Sequence, residues 1–362
     1  DNTAIGDNAL GAVTTGINNT AVGSGALLLN TANNNVAVGE AALAASTTGA
    51  GNTAIGRTAL TANTTAALNT AVGYIALGAN TTGDKNVGAG AYALDANTTG
   101  GSNTALGYDA LGANTTASNN VAVGTYALDA NTTGAQNTAL GRGALGGNTT
   151  ADDNTGVGYK ALEANTTGAY NVAVGSLALD ANTTGASNVA IGYHAASVMT
   201  TGDQNTIIGR NAGDAITTAD DNTAYGYSAL GTTSTGANNT AVGSNALFSN
   251  TTASNNTSVG FQALYANTTG SENTAVGRLS LDANTTGTNN VAVGNNAAGA
   301  NTTASYNTAI GDGALAANTT GTQNVAVGSY VNDADATTNY TVGVGYSALS
   351  ANTVDHVTAV GY

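Results

Sequence analysis

No cysteine occurs in this chain, so neither disulfides nor thiolate metal sites hold it together, and the redox compartment is left open. Proline is absent too, which argues against collagen-like and polyproline structure. Basic residues number only six against 21 acidic ones, a net charge of −15 that repels phosphate backbones and anionic membrane faces. Nucleic acid is therefore not an expected partner. No apolar run approaches the length that spans a bilayer, so no membrane insertion is expected of this segment. Only 7% of residues are charged, but 41% are hydrophobic, mostly Ala, Val and Leu, and there are 50 glycines. That composition is too apolar and too regular for a disordered linker.

What is present is one motif, typified by Asn69 to Lys85, N-T-A-V-G-Y-I-A-L-G-A-N-T-T-G-D-K. Copies begin at Asn2, Asn19, Asn35 and Asn52 and then every seventeen residues to Asn324, with a further copy at Thr341 and a partial one from Val357. These make 21 full copies, of which Asn19 to Asn34 and Thr341 to His356 are one residue short. Self-similarity at a short fixed period is the mark of a solenoid or fibre. Position five is Gly in every copy, as in Gly73, Gly124, Gly175, Gly243 and Gly277. Position eight is Ala except at Ser280 and Val331, and position nine is Leu in 17 of 21 copies, the exceptions being Ala196, Gly213, Ala298 and Asn332. A translational array has no globular domain boundaries, so residues 1–362 read as a single continuous repeat shaft. The start at Asp1 without Met, and the stop inside a copy, lead us to expect a fragment of a longer protein.

Positions two and four carry β-branched or aliphatic residues, as in Thr70 and Val72, Val121 and Val123, or Val172 and Val174. Residues two apart on a strand share a face, so the pair points one way and the Ala between them the other. We expect the pair to face the core: Val72, Val123 and Val174 together with Leu77, Leu128 and Leu179. The strand ends at the fixed Gly, which permits a positive φ or a close backbone approach. Leu at position nine and Ala at eleven repeat the two-residue spacing and predict a second short strand facing the first. Asn-Thr-Thr-Gly then makes a turn. A helix in place of the second strand is the competing reading, but too few residues separate the turns for a helix stable on its own.

The predicted fold is therefore all-β: a repeat solenoid, a parallel β-roll or β-helix of about 21 seventeen-residue coils. Stacked at the strand spacing, these coils predict a rod roughly 100 Å long. Asn at positions one and twelve would form two ladders whose amides bond from coil to coil. The core of one coil is thin. A rank of small Ala residues on the face opposite the Val pair would let another chain pack close, and we expect lateral association as a trimer.

The pattern G-Y-x-A-L-x-x-N-T-T-G-x-x-N-T-A-x-G, approximated by Gly73 to Gly90 and Gly260 to Gly277, resembles the repeat of bacterial and phage proteins described as containing tail-fibre domains. Its N-x-A-V-G core is also similar, more distantly, to the head repeat of YadA-type trimeric autotransporter adhesins, which form a left-handed parallel β-roll in each of three chains. The residues around Asn-Thr-Thr-Gly have no clear counterpart in that second family. The resemblance implies a trimeric fibre on a cell surface or virion, often followed by an intramolecular chaperone, and no chaperone-like segment occurs here.

A search for chemistry finds no catalytic constellation, and no enzyme, cofactor or metal is expected. His194 and His356, the only histidines, lie 162 residues apart. The acidic pairs Asp152-Asp153 and Asp220-Asp221 could assist calcium binding but recur in only two copies. Thirteen copies contain Asn-Thr-Thr, including Asn63, Asn97, Asn182 and Asn301, which a repeated turn creates without any role in glycosylation. The Thr ranks invite an ice-binding reading, but adjacent Thr residues on extended backbone point to opposite faces. Position six holds all four arginines (Arg57, Arg142, Arg210 and Arg278) and an aromatic row of Tyr74, Tyr108, Tyr159, Tyr193, Tyr227 and Phe261. Such a row can stack on sugars, pack against a neighbouring subunit, or cover the Leu beneath it. The expectation is a non-enzymatic structural and adhesive fibre shaft, extracellular, on a cell surface or on a virion, with itself as partner and a host-surface glycan or receptor reached through other domains. A self-assembling extracellular filament and a monomeric ice- or surface-binding solenoid are the alternatives.

Overall fold

The computed structural model describes residues 1–362 and is an all-β parallel β-solenoid with 22 strands of three residues each and no helix. Two compact units, Asp1–Thr184 and Gly185–Tyr362, divide the chain. The first holds β1 (Thr3–Ile5) to β11 (Val172–Val174), and the second β12 (Val189–Ile191) to β22 (Thr358–Val360). Within each unit, consecutive strands pair in parallel with like positions opposite, for example Thr104↔Val121, Ala105↔Ala122 and Leu106↔Val123 in the first unit, or Thr223↔Thr240, Ala224↔Ala241 and Tyr225↔Val242 in the second.

Each coil has one strand, not two. The second strand expected at positions nine to eleven is replaced by tight turns. Positions seven and nine both take positive φ, 59° at Ile75 and 52° at Leu77, 57° at Tyr126 and 54° at Leu128. Alternation of backbone sign curls the chain: Ala76 N donates to Gly73 O at 3.4 Å, Gly78 N to Ile75 O at 2.9 Å, and Asn80 N to Leu77 O at 3.2 Å. The intervening amides reach neighbouring coils, Ile75 N to Arg57 O at 3.1 Å and Leu77 N to Ala93 O at 2.9 Å. These turns thus keep the coil-to-coil hydrogen bonding that a second strand would have supplied. The sequence reads as strand there because Leu at nine and Ala at eleven are spaced as in a strand, while the positive φ falls at seven and nine, on residue types that do not announce it. Leucine in the left-handed region is costly on its own, and the array holds it there through burial and the inter-coil bond that its amide makes.

Strand orientation is the reverse of that expected. Ala71 is wholly buried, whereas Val72 is 39% exposed. Val123 and Val174 are half-buried on the same outward side, and Leu77, Leu128 and Leu179 fill the interior. The reason is room. A Cβ placed on Gly88, at position three, would stand 3.4 Å from Leu77 Cγ, and one on Gly156 3.2 Å from Leu145 Cγ. With Leu already against the inner face of the strand, position three accepts Ala and the larger β-branched pair faces out.

Two Asn ladders complete the interior. At position twelve, Asn97 Nδ2 donates to Asn80 Oδ1 at 2.8 Å and to Gly100 O at 2.9 Å, and Asn114 repeats this onto Asn97 Oδ1 at 2.8 Å. At position one, Asn120 Nδ2 donates to Gly134 O at 2.9 Å, while its Oδ1 accepts from the backbone N of Asn137 at 2.9 Å. Both side chains converge on the position-fifteen carbonyl, so the turn after Asn-Thr-Thr is satisfied from inside. In the second unit, two of the four coils lacking Leu are repacked: Ala196 and Gly213 at position nine are accompanied by buried Met199, Ile207 and Ile216 at positions that usually carry Asn, Ala and Asn. Volume lost at one site is restored at others.

Candidate functional site

Because each coil repeats the same conformation, a candidate site is either a row that runs along a unit or a place where one coil departs from the rest. The corner glycines fix where rows begin. Gly73, Gly124, Gly175, Gly243 and Gly277 have φ of 139°, 134°, 138°, 137° and 136°, a region that side chains avoid. A Cβ on Gly124 would also stand 2.6 Å from Gly141 O. Both reasons for glycine, the left-handed backbone and the close approach, act together.

The strand face forms the first row. Positions two and four point outward in register, Thr or Val in one rank and Val, Ile or Leu in the other, with Ala89 and Tyr225 as the two departures. None of the 22 strands contains a charged residue. Ile55, Leu106, Val121 and Leu140 are exposed in the first unit, and Ile191, Val293 and Ile310 in the second. Charges lie instead at the corners, chiefly at positions six, seven, ten, sixteen and seventeen. Each unit therefore carries an uncharged, mostly β-branched face with charged rims.

The corner after the glycine is aromatic. Tyr74, Tyr108, Tyr159, Tyr193, Tyr227 and Phe261 are all exposed. They do not touch as a continuous rank, since position-seven tyrosines intervene: Tyr74, Tyr92, Tyr108 and Tyr126 form an edge-to-face chain with centroid distances of 5.4, 5.9 and 5.5 Å. Arg57 caps one end of this chain at 5.8 Å from the Tyr74 ring, and its Nε lies 3.0 Å from Glu40 Oε2. Tyr159 is covered by Arg142 at 5.8 Å and Lys160 at 5.7 Å, while Tyr193 packs on His194 at 4.2 Å and under Arg210 at 5.9 Å.

One coil breaks the pattern. Residues 137–153 carry Gly143, Gly146 and Gly147 at positions seven, ten and eleven, the only copy with glycine at all three. Missing side chains leave a notch of about 520 Å³, with Tyr126 and Asp129 on one wall, Lys160 and Glu163 on the other, and Arg142 at the rim. Lys160 Nζ and Glu163 Oε1 are paired at 2.9 Å. Burial, aided by the charges of Asp109 and Glu163, pushes the Asp129 carboxyl above its ordinary value. A smaller cavity of about 310 Å³ recurs in the second unit over Gly231, again at position ten, between Asp214 and Phe248. Position-six reasoning passed over Tyr126, Asp129 and the three glycines. The signal was visible as an excess of glycine in one copy.

The other sequence candidates have structural roles. Asp152 and Asp220 cap the preceding coil, accepting from Ala135 N at 2.7 Å and from Asp203 N at 2.8 Å. No group of three or more His, Asp or Glu converges in a way that could hold a metal. Asn63, Asn97, Asn182 and Asn301 are fully buried in the position-twelve ladder, where a glycan has no access. No helix is long and apolar enough to cross a membrane. Comparison with protein-family models finds no match, and comparison with curated proteins finds none either.

Proposed function

We propose that this chain is a non-enzymatic structural shaft that associates side by side with copies of itself through the strand face, three chains about one axis, in a fibre on a cell surface or virion. The observation that carries this is the uncharged Thr/Val/Ile face in a chain of net charge −15. Exposed apolar surfaces of this extent, rimmed by polar groups, mark interaction sites. Eleven strands about 10 Å long and 4.8 Å apart give each unit a footprint of roughly 500 Å², and its accessible area is larger than that projection. This is of the order that a partner contributes to a stable complex, about 800 Å². The inward Ala rank lends no support to the seam, since it is buried; the outward Val rank takes its place. Trimeric arrangement and fibre setting rest on the resemblance of the repeat to tail-fibre-type proteins.

A chain without cysteine makes the test direct. Val121→Cys, on the strand face, is expected to give covalent dimers with a short bismaleimide, and Thr133→Cys, exposed on another face, is expected to give none. Equal yields from both, or none from Val121→Cys, would count against the seam. A second reading rests on the same face. Ranks of Thr and Val about 4.8 Å apart along the stack and about 6.6 Å across it form the broad two-rank array that an ice- or surface-binding solenoid needs, and thermal hysteresis from a single-chain species would select it.

A further inference from the structure

We infer that the notch over residues 143–147 is a binding site for a neutral oligosaccharide. The three glycines thin one coil between two that keep their side chains, Gly143 having room for a Cβ while Gly146 and Gly147 lie against Asp129 and the Glu163 carbonyl, and the cavity of about 520 Å³ is of the size that small-ligand sites have. The functional groups around it suit a polyol. Tyr126 offers an exposed ring face for the C–H side of a sugar, held in place by its edge-to-face contact with Tyr108 at 5.5 Å. Asp129 and Glu163 accept hydrogen bonds from hydroxyls; Arg142 and Lys160 donate to hydroxyl and ring oxygens. Two acids and two bases leave the notch locally neutral although the chain is strongly acidic, which disfavours nucleotides and polycations alike. Both bases are already positioned, Arg142 on the Tyr159 ring and Lys160 on Glu163.

The smaller cavity over Gly231 differs from the notch: its coil keeps Ser228 and Thr232 at positions seven and eleven, and the Phe248 ring lies over the glycine, where a Cβ would meet its Cε2 at 2.6 Å. The notch is lined by residues of a single chain and does not depend on self-association.

The probes are maltotriose, cellotriose and chitotriose, observed by saturation-transfer NMR with the full chain. At least one is expected to bind. Tyr126→Ala is expected to weaken it at least tenfold. Gly143→Gln is expected to abolish binding at this notch without disturbing the coil, because position seven already holds Gln262 at φ 53°, close to the 66° of Gly143, and a Cβ on Gly143 meets nothing nearer than Lys160 Cγ at 3.6 Å. Circular dichroism unchanged from the parent chain verifies that the fold survives. No signal from any of the three trisaccharides, or binding that neither variant changes, would overturn the inference.

Discussion

Gly124→Ala tests the coil geometry at its tightest point. The backbone there has φ 134°, and the new Cβ would lie 2.6 Å from Gly141 O and 2.7 Å from Gly141 C. Strain at such a φ costs about 1–3 kcal/mol. The overlap costs about 1–3 kcal/mol more. Moving the next coil away offers no escape, because Gly141 N donates to Val123 O at 2.8 Å on the same edge, so relief of the clash stretches that bond. The sum is a local loss of roughly 2–6 kcal/mol. Gly134→Ala in the same copy is the control. A Cβ there presses on the Ala151 carbonyl and on Asn131 Oδ1 at least as closely, but φ is not positive, and Ala66, Ala117 and Ala151 at the equivalent position show that the turn shifts to accept a methyl group. Its expected cost is under about 1 kcal/mol. Repeat arrays do not unfold as one unit, so the readout is amide exchange at Val121 to Gly124 and in the adjoining strands. Equal protection in the two variants would refute the reasoning.

Gly213→Leu inserts the residue found in 17 of 21 copies, yet it is expected to destabilise its coil by about 1–3 kcal/mol. A Cβ there meets Ile216 Cδ1 at 3.0 Å and Ile207 Cγ2 at 3.1 Å. Combining it with Ile207→Ala and Ile216→Asn is expected to recover the lost amide-exchange protection at Thr206 to Gly209, and additive losses would contradict the compensation. Asp95, Asp129 and Asp282, all half-buried at position ten, have carboxyls that burial lifts above the ordinary value of 3.8. The folded chain then holds these protons more tightly than the unfolded one, so their contribution is fully present below about pH 3.8 and is lost as pH rises through the raised values. Thermal unfolding followed by circular dichroism should therefore show a midpoint that rises on acidification from neutral pH, less so in Asp129→Asn. A midpoint that falls throughout would contradict this.

The period, the corner glycines, the buried Leu and the two Asn ladders were all legible because each is a rule about one residue repeated in every copy. The orientation of the strand was not. Thr-Ala-Val alternates either way up, and only the reach of Leu77 to position three decides which side is inside. The missing second strand was illegible for a related reason: Leu77 and Ala79 keep a strand-like two-residue spacing, and nothing in the residue types Ile75 and Leu77 marks the left-handed backbone that they adopt. Compensation among Gly213, Ile207 and Ile216 appears only when neighbouring positions are brought together across the coil. The notch was a different kind of signal, a copy that departs from its siblings, and an array invites attention to what is constant.

The face that the structure turns outward makes the mass of the chain in solution the most direct test of the account. Static light scattering over a wide range of concentrations is predicted to give a constant mass of three chains. Because the strand face proposed as the seam is free of charge, that mass should not change when salt is raised on the order of tenfold. A mass that grows with concentration would replace the closed trimer with a filament. A single-chain mass at every concentration would contradict association through the strand face.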